Sequence, residues 1–103
     1  MTGYAFHPEA LVDLDEIWHF IAEDSVDTAN RVIGDIFAAI KAVLPFPHQG
    51  HRRPDLTSGP IRFLRVHDFL IAYADEEQPL WVLAILHGRR NPRVMAAILR
   101  DRK

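Results

Sequence analysis

Apolar residues recur along this sequence with two different periods, and the change of period separates helical from extended segments. After Pro8, which suits the first turn of a helix, apolar residues return every three or four positions, the pattern of an amphipathic helix. This first stripe comprises Ala10, Leu11, Leu14, Ile17, Trp18 and Ile21. Ser25 is a suitable N-cap for a second helix that ends at Pro45. Its stripe comprises Ala29, Val32, Ile33, Ile36, Phe37, Ile40, Val43 and Leu44. The short interval between the stripes predicts a helical hairpin.

The extended segments alternate with a period of two or are apolar throughout. Thr2–Phe6 predicts a short first strand, and the later strands are predicted at Ile61–Val66, Phe69–Ala74 and Leu80–His87. Strict alternation would place Trp81, Leu83 and Ile85 on one face of the last strand. The other face would then hold Leu80, Val82, Ala84 and Leu86. A strand that is apolar on both faces is expected inside a sheet or under a partner.

The order of elements predicts a single α+β domain over residues 1–103, arranged β-α-α-β-β-β-α. We expect the helical hairpin to pack on a small antiparallel sheet, with a short helix after Asn91-Pro92. The proline-rich stretch Pro45–Pro60 is a connector of a length that is often functional. If the hairpin covers one face of the sheet, the other exposes apolar surface, which predicts a binding site for a partner.

Charge is distributed unevenly between the two halves of the chain. Residues 1–46 carry two basic and eight acidic side chains, a net −6, whereas residues 47–103 carry ten basic and six acidic ones, a net +4. Either the two halves present solvated faces of opposite sign, or the basic half meets an anionic partner. The absence of cysteine fits a reducing cytoplasm. We expect no signal peptide and no membrane segment, because no apolar run reaches about 18 residues.

Several residue types invite a catalytic or metal-binding reading. Of the six histidines only His48 and His51 are close in sequence, and no recognised ligand spacing accompanies them, so we expect neither a metal site nor a cofactor. Asp13 and Glu16 share a helix face and could act as acid and base, but solvation of that face is the favoured reading. The sequence contains no phosphate-binding loop and no serine elbow.

The arginines of the basic half are more informative. Arg62 and Arg65 are three positions apart on one strand and should point to opposite faces, where ion pairs with the acidic helices are an alternative to a binding role. Arg89, Arg90 and Arg93 follow the last strand, close enough in sequence to repel one another unless a partner neutralises them. Arginines at strand ends suit bidentate binding of phosphate or carboxylate.

An ordered set of short motifs resembles the ParE/RelE superfamily of type II toxins, and its ParE branch in particular. The set begins with Ala10-x-x-Asp13-Leu14-x-x-Ile17 and Ala29-x-x-x-Ile33 in the helices. It continues with Pro47-x-x-Gly50, Arg53-x-Asp55-Leu56, Arg62, Ile71-x-Tyr73 and Ile85-Leu86-His87-Gly88-Arg89-Arg90. Each piece is weak alone, but together they cover almost the whole chain in the family's order.

The resemblance implies a toxin of a type II toxin-antitoxin system, neutralised by a cognate ParD-like antitoxin whose disordered tail folds onto it. ParE-like toxins inhibit DNA gyrase by binding, whereas RelE-like toxins cleave messenger RNA in the ribosome. A third possibility is a non-toxic binding module of the same fold. We expect the protein to be cytoplasmic and to contact DNA only through the antitoxin complex. An acidic first half repels nucleic acid, which fits a protein target better than a ribosomal one.

The choice between these activities depends on proton-transfer groups. RNA cleavage needs a proton acceptor, a proton donor and cations around the phosphate. RelE-like enzymes, which the chain resembles, carry a tyrosine or histidine near the C-terminus. None follows Arg90 here, so an enzyme is the less favoured reading. If the chain is a nuclease, the catalytic candidates are His87, Arg62, Arg65 and Arg89. For a binding toxin we predict target contacts at Arg89, Arg90 and Arg93. Antitoxin contacts are predicted at Leu80, Val82, Leu86 and Met95.

Overall fold

The architecture, taken from a computed structural model that describes residues 3–102, follows the predicted order of elements. Strand β1 (Tyr4–Phe6) is followed by helices α1 (Pro8–Ala22) and α2 (Val26–Val43). The chain then forms β2 (Ile61–Val66), β3 (Phe69–Ala74), β4 (Leu80–His87) and α3 (Pro92–Arg102). The fold class is therefore confirmed, and Thr2, the predicted first residue of β1, lies outside the described residues.

The four strands form one sheet in the order β1-β4-β3-β2. Both hairpin pairs are antiparallel, whereas β1 runs parallel to β4. The sheet is therefore mixed instead of purely antiparallel as expected. The parallel pair arises because the chain reaches β4 only after passing through the helices and the two intervening strands. β1 is short and covers only Leu80–Val82 of β4.

Helices cover both faces of the sheet. The hairpin buries Leu14, Ile36 and Ile40 against one face, and the Ser25 hydroxyl caps α2 by accepting a hydrogen bond from the Thr28 amide at 3.1 Å. On the opposite face, α3 buries Met95 and Leu99. The expectation of an open apolar sheet face was wrong, because α3 begins directly after Asn91 and folds back over β4.

A β-bulge changes the facing of residues along β4. The register runs Tyr73↔Val82 and Ala72↔Ala84, so Leu83 is an extra residue without a partner on β3. Leu83 and Ala84 consequently belong to the same core cluster on the α3 side. Leu80, Val82 and Ile85 belong to the cluster under the hairpin. The predicted assignment of faces by strict alternation was therefore wrong, because one extra residue reverses the alternation beyond the bulge.

The long connector before β2 is fixed to the sheet by hydrogen bonds and by one buried side chain. His51 exchanges two backbone hydrogen bonds with Phe63, at 2.8 and 2.7 Å, and Leu56 is buried. The fully buried Tyr73 donates its hydroxyl hydrogen to the Pro47 carbonyl at 2.7 Å and accepts from the Gly50 amide at 3.0 Å. Burial raises the pKa of Tyr73, which keeps the hydroxyl protonated and able to donate.

Gly50→Ala is expected to destabilise the protein by about 1–3 kcal/mol, the usual cost of overpacking a core. A Cβ at this position would lie 2.4 Å from the Tyr73 hydroxyl oxygen and 3.0 Å from the Phe63 carbonyl oxygen. Gly34→Ala is the matched control, because a Cβ there meets no atom within 4 Å. Urea denaturation of both variants measures the difference.

The double variant Gly50→Ala/Tyr73→Phe separates this clash from other causes. Tyr73→Phe alone is expected to cost about 1–3 kcal/mol, since it leaves the buried Gly50 amide without its acceptor. Because it also removes the oxygen nearest to the added methyl group, the double variant should lose less stability than the two single losses combined. Strict additivity would contradict the clash as the cause.

Candidate functional site

A partly buried ion pair joins the first helix to the last one. Arg102 donates two hydrogen bonds to the Asp13 carboxylate, at 2.6 and 3.0 Å, and a longer one of 3.3 Å to the Leu83 carbonyl. Asp13 also accepts the Ile85 amide at 3.0 Å. The hydrogen bond with Asp13 raises the pKa of Arg102. Asp13 thus holds α1, β4 and α3 together, and the expectation that it is solvated was wrong; Glu16 is exposed, as expected.

Beside this ion pair lies a groove of about 750 Å³. It is formed by helices α1 and α2 and by the end of the sheet where β3 begins and β4 ends. Its apolar lining includes Ile17, Ile21 and Ile85. Phe20, which also lines the groove, is 74 % exposed. His87 and Arg90 also line the groove. The lining combines apolar side chains with charged groups of both signs, among them Glu16, Asp68 and Arg90. A concave surface that joins apolar and polar groups is typical of binding sites.

His87 is held in one orientation at the end of β4. Its Nδ1 accepts the Arg89 amide at 3.2 Å, and its ring meets the edge of the Phe69 ring with the centroids 5.4 Å apart. A neutral imidazole that accepts at Nδ1 carries its proton on Nε2. Gly88 follows, and its amide donates to the Asp68 carbonyl at 2.7 Å. A Cβ on Gly88 would lie 3.1 Å from that carbonyl oxygen, so the close approach favours glycine.

Four arginines lie at the end of the sheet where β2 and β4 end and α3 begins. We refer to Arg65, Arg89, Arg90 and Arg93 as the basic corner. An Arg65 guanidinium nitrogen lies 3.9 Å from the position that a Cβ of Gly88 would take, which places Arg65 beside the three predicted target-binding arginines. All four are exposed, and none forms an ion pair within residues 3–102. The basic corner is therefore available to an anionic partner.

Arg62 has a different environment from the basic corner. It lies near the start of β2 and donates to the buried Asp75 carboxylate at 2.6 Å and to the Gly50 carbonyl at 3.0 Å. Arg52 also lies 3.6 Å from Asp75. Arg62 pairs in register with Tyr73, whereas His87 pairs with Phe69 at the other end of β3. The structure therefore brings Arg65, Arg89 and His87 to one end of the sheet and places Arg62 at the other.

The sequence comparisons decide the family. Residues 4–92 match the family model described as the ParE toxin of the type II toxin-antitoxin system parDE. This chain belongs to the ParE toxin family. No curated protein matches it. A chain from a solved structure titled "Chromosomal ParDE TA system from P. aeruginosa" is 22% identical to the toxin, with a TM-score of 0.68. The match covers 84% of the toxin and 96% of that chain, and it shows a shared fold.

The residues predicted to contact the antitoxin lie inside the toxin itself. Leu80 and Val82 are buried under the helical hairpin. Leu86 and Met95 pack together on the other face, where α3 covers the sheet. None of the four is accessible to a partner in this structure, which counts against them as contact residues. The exposed Phe20 of the groove was missed, although it lies outside the apolar stripe predicted for the first helix, and an apolar residue off the stripe is the signal that could have found it.

The part of the toxin that the structure describes contains neither a metal-binding cluster nor a membrane-spanning helix. No group of three or more histidine, aspartate or glutamate side chains in residues 3–102 is placed to hold a metal ion. His48 and His51 are both exposed, and His67 instead pairs with Asp35 at 2.7 Å. No helix within the described part of the chain is long and apolar enough to cross a membrane.

Proposed function

We propose that this ParE-family toxin inhibits DNA gyrase by binding to it in the cytoplasm, without cleaving RNA, and that a cognate ParD-like antitoxin holds it inactive. Membership of the ParE family supports the toxin role and the antitoxin partner.

The ion pair of Arg62 with Asp75 is the observation that favours a binding toxin over a nuclease. Arg62 neutralises the buried Asp75, and its side chain is only 18% exposed, so it has no free cation to offer a phosphate. The remaining nuclease candidates are His87, Arg65 and Arg89, of which only His87 commonly serves as a general acid or base. His67, which lines the same groove, is hydrogen-bonded to Asp35. Cleavage by 2′-OH attack needs both an acceptor and a donor, so this set lacks one catalytic function.

The basic corner is the surface that best fits an anionic region of the target. Its exposed guanidinium groups lie near the N-terminus of α3, where Asn91 Oδ1 accepts the Arg93 amide at 2.8 Å and Pro92 is the first helical residue. Complementary charge at an interface accelerates association and favours one orientation over others. We therefore assign target binding to Arg89, Arg90 and Arg93, with Arg65 beside them.

The gyrase assignment is tested by titrating the purified toxin into a supercoiling assay with purified gyrase. We expect supercoiling to be inhibited at saturating toxin and restored by the antitoxin. Full supercoiling activity at saturating toxin would exclude the proposal. Translating ribosomes exposed to the toxin provide the second arm. Cleaved messenger RNA that His87→Ala abolishes would instead establish the nuclease, and harmless overexpression without antitoxin would favour a non-toxic module.

Reversing the charge of the basic corner should weaken inhibition while the fold is retained. In the triple variant Arg89→Glu/Arg90→Glu/Arg93→Glu we expect the half-inhibitory concentration to rise about tenfold or more, since each exposed charge pair contributes about 0.2–1 kcal/mol. Arg31→Glu on α2, which changes an exposed arginine that has no ion pair in the described part of the chain, is the control and should act like the original toxin. Equal inhibition by both variants would remove the basic corner from the target surface.

A further inference from the structure

The two outer edges of the sheet differ in how they are protected. On the β2 edge, the connector residue His51 exchanges two backbone hydrogen bonds with Phe63, and the exposed Arg65 follows. A covering segment and a charged side chain are common devices that keep a strand edge from pairing with another chain. β1, at the opposite edge, carries neither a charged side chain nor a proline. β1 is therefore the edge that is open to a further strand.

The backbone groups of β1 alternate between β4 and this open edge. Gly3 and His7, at either end of β1, both bond to β4, through the Gly3 carbonyl at 3.0 Å and the His7 amide at 2.9 Å. Because residues two apart in a strand point their backbone groups the same way, Ala5 also faces β4, whereas Tyr4 and Phe6 face outward. Within residues 3–102, the amides and carbonyls of Tyr4 and Phe6 form no hydrogen bond with another residue.

This pattern of donors and acceptors is self-complementary. When two copies of β1 run antiparallel about a two-fold axis at Ala5, Tyr4 of each copy lies opposite Phe6 of the other. Both pairs then exchange two backbone hydrogen bonds, so that every outward-facing amide and carbonyl of the two strands finds a partner. Ala5 faces its own equivalent in the closer, non-hydrogen-bonded type of pair, and its small side chain permits that approach. No other sequence is needed to satisfy this edge.

The side chains of β1 also suit a second copy. The Tyr4 and Phe6 rings pack on the hairpin side of the sheet, edge to face with their centroids 5.6 Å apart, and both contact the Phe37 ring. All three rings are only partly buried. Directly opposite residues of paired strands share a face, so the Tyr4 ring of one copy lies beside the Phe6 ring of the other. The two aromatic clusters then join, and ring surface that is exposed in the single chain is buried.

We propose that β1 is a dimerisation surface, to which a second copy of this chain adds its own β1 in antiparallel orientation with Ala5 at the two-fold axis. The sheets of the two copies become continuous. The groove and the basic corner lie at the other end of β4, beyond the Leu80–Val82 segment that pairs with β1. Both surfaces stay open in each copy, so the dimer can engage a two-fold symmetric partner at two sites at once.

The dimer is expected to be weak. A contact built on one short strand pair falls below the ~1,200 Å² of standard interfaces, and we expect a dissociation constant of about 0.1 mM. Sedimentation velocity of the purified toxin should therefore show mostly dimer at about 1 mM and mostly monomer at about 0.01 mM. A toxin that stays monomeric over this whole range would overturn the proposal.

A charge exchange at the two-fold axis tests the geometry. Ala5→Lys and Ala5→Glu each place two like charges directly opposite one another, so either variant alone should remain monomeric at about 1 mM. An equimolar mixture of the two should form the dimer again, because the facing charges are then opposite. The recovery also shows that both variants are folded. Ala38→Lys, at an exposed position of α2, is the control and should dimerise like the original toxin. A mixture that stays monomeric would refute pairing at Ala5.

Amide hydrogen exchange in the original toxin tests the same contact without a substitution. Between about 0.01 and 1 mM toxin, exchange of the Tyr4 and Phe6 amides should slow about three- to fivefold as the dimer fills. The Ala5 amide, which points to β4, is the internal control and should not change. Equal slowing at all three amides would contradict strand pairing. Slowing that requires the antitoxin and not a higher toxin concentration would assign the edge to the antitoxin and refute the dimer. The measurements on the toxin alone contain no gyrase, so a failure of the gyrase assignment leaves their outcome unaffected.

Discussion

Replacing Asp75 by alanine is expected to destabilise the toxin by about 3–5 kcal/mol, the largest effect of any single substitution considered. The Asp75 side chain is 1% exposed and bonds to Arg62 at 2.6 Å, so its loss leaves a largely buried guanidinium without a counter-charge. Since a small domain has a total stability of about 5–15 kcal/mol, a substantial unfolded population should result at physiological temperature. Urea denaturation followed by circular dichroism measures the change.

A double-mutant cycle shows whether the ion pair causes the loss. Arg62→Ala alone should also be strongly destabilising, because it leaves the Asp75 carboxylate buried with only the more distant Arg52 nearby, at 3.6 Å. The double variant should then lose clearly less than the two single losses together. Asp55→Ala, which removes an aspartate from an exposed ion pair with Arg53, is the control and should leave the denaturation midpoint unchanged. A loss below about 1 kcal/mol for Asp75→Ala would contradict this account.

Asp13→Ala is expected to cost about 2–3 kcal/mol and to loosen the contact between α1 and α3. The expected loss of stability is smaller than that for breaking a fully buried ion pair, because the side chains of Asp13 and Arg102 are 12% and 13% exposed. The Ile85 amide also loses its acceptor. Asp15→Ala on the same helix is the matched control. Asp15 is exposed, and so is His19, its ion-pair partner at 3.4 Å.

Amide exchange at Ile85 distinguishes this specific loss from general destabilisation. We expect faster exchange at Ile85 in Asp13→Ala than in a variant of equal stability with Asp13 intact, such as Gly50→Ala. Unchanged Ile85 exchange would show that Asp13 does not protect the edge of β4.

The raised pKa of Arg102 means that the guanidinium loses its proton only above the ordinary arginine range. The stability linked to the Arg102 proton is therefore present throughout the neutral range and is lost as the pH rises into strong alkali.

Local patterns predicted the elements well because their causes are local. Proline at the start of α1, the serine cap of α2 and the changes of hydrophobic period each act within a few residues. The tight turn between β2 and β3 was also predicted, and His67 adopts the positive φ of 53° there. Element order and the helical hairpin are therefore predictable from the amino-acid sequence alone.

The candidate site depends on long-range contacts that such patterns do not encode. Asp13 and Arg102 are 89 positions apart, and Asp13 has the same helical spacing as a solvated residue. The sequence does not indicate the β-bulge, because no glycine or turn residue lies there and Leu83 resembles its neighbours in β4. Arg62 and Arg65 look equivalent in sequence. The first is committed to Asp75 and the second is exposed, because each lies at a different end of the sheet.

The bulge at Leu83 has a consequence for comparing this toxin with its distant relatives. A relative without the extra residue would need a one-residue gap between the positions of Val82 and Ala84 to keep equivalent side chains on the same face. An ungapped alignment would match residues that face the helical hairpin in one protein with residues that face α3 in the other, all the way to His87. Identity counted over this strand would then understate the true similarity at the positions that form the groove.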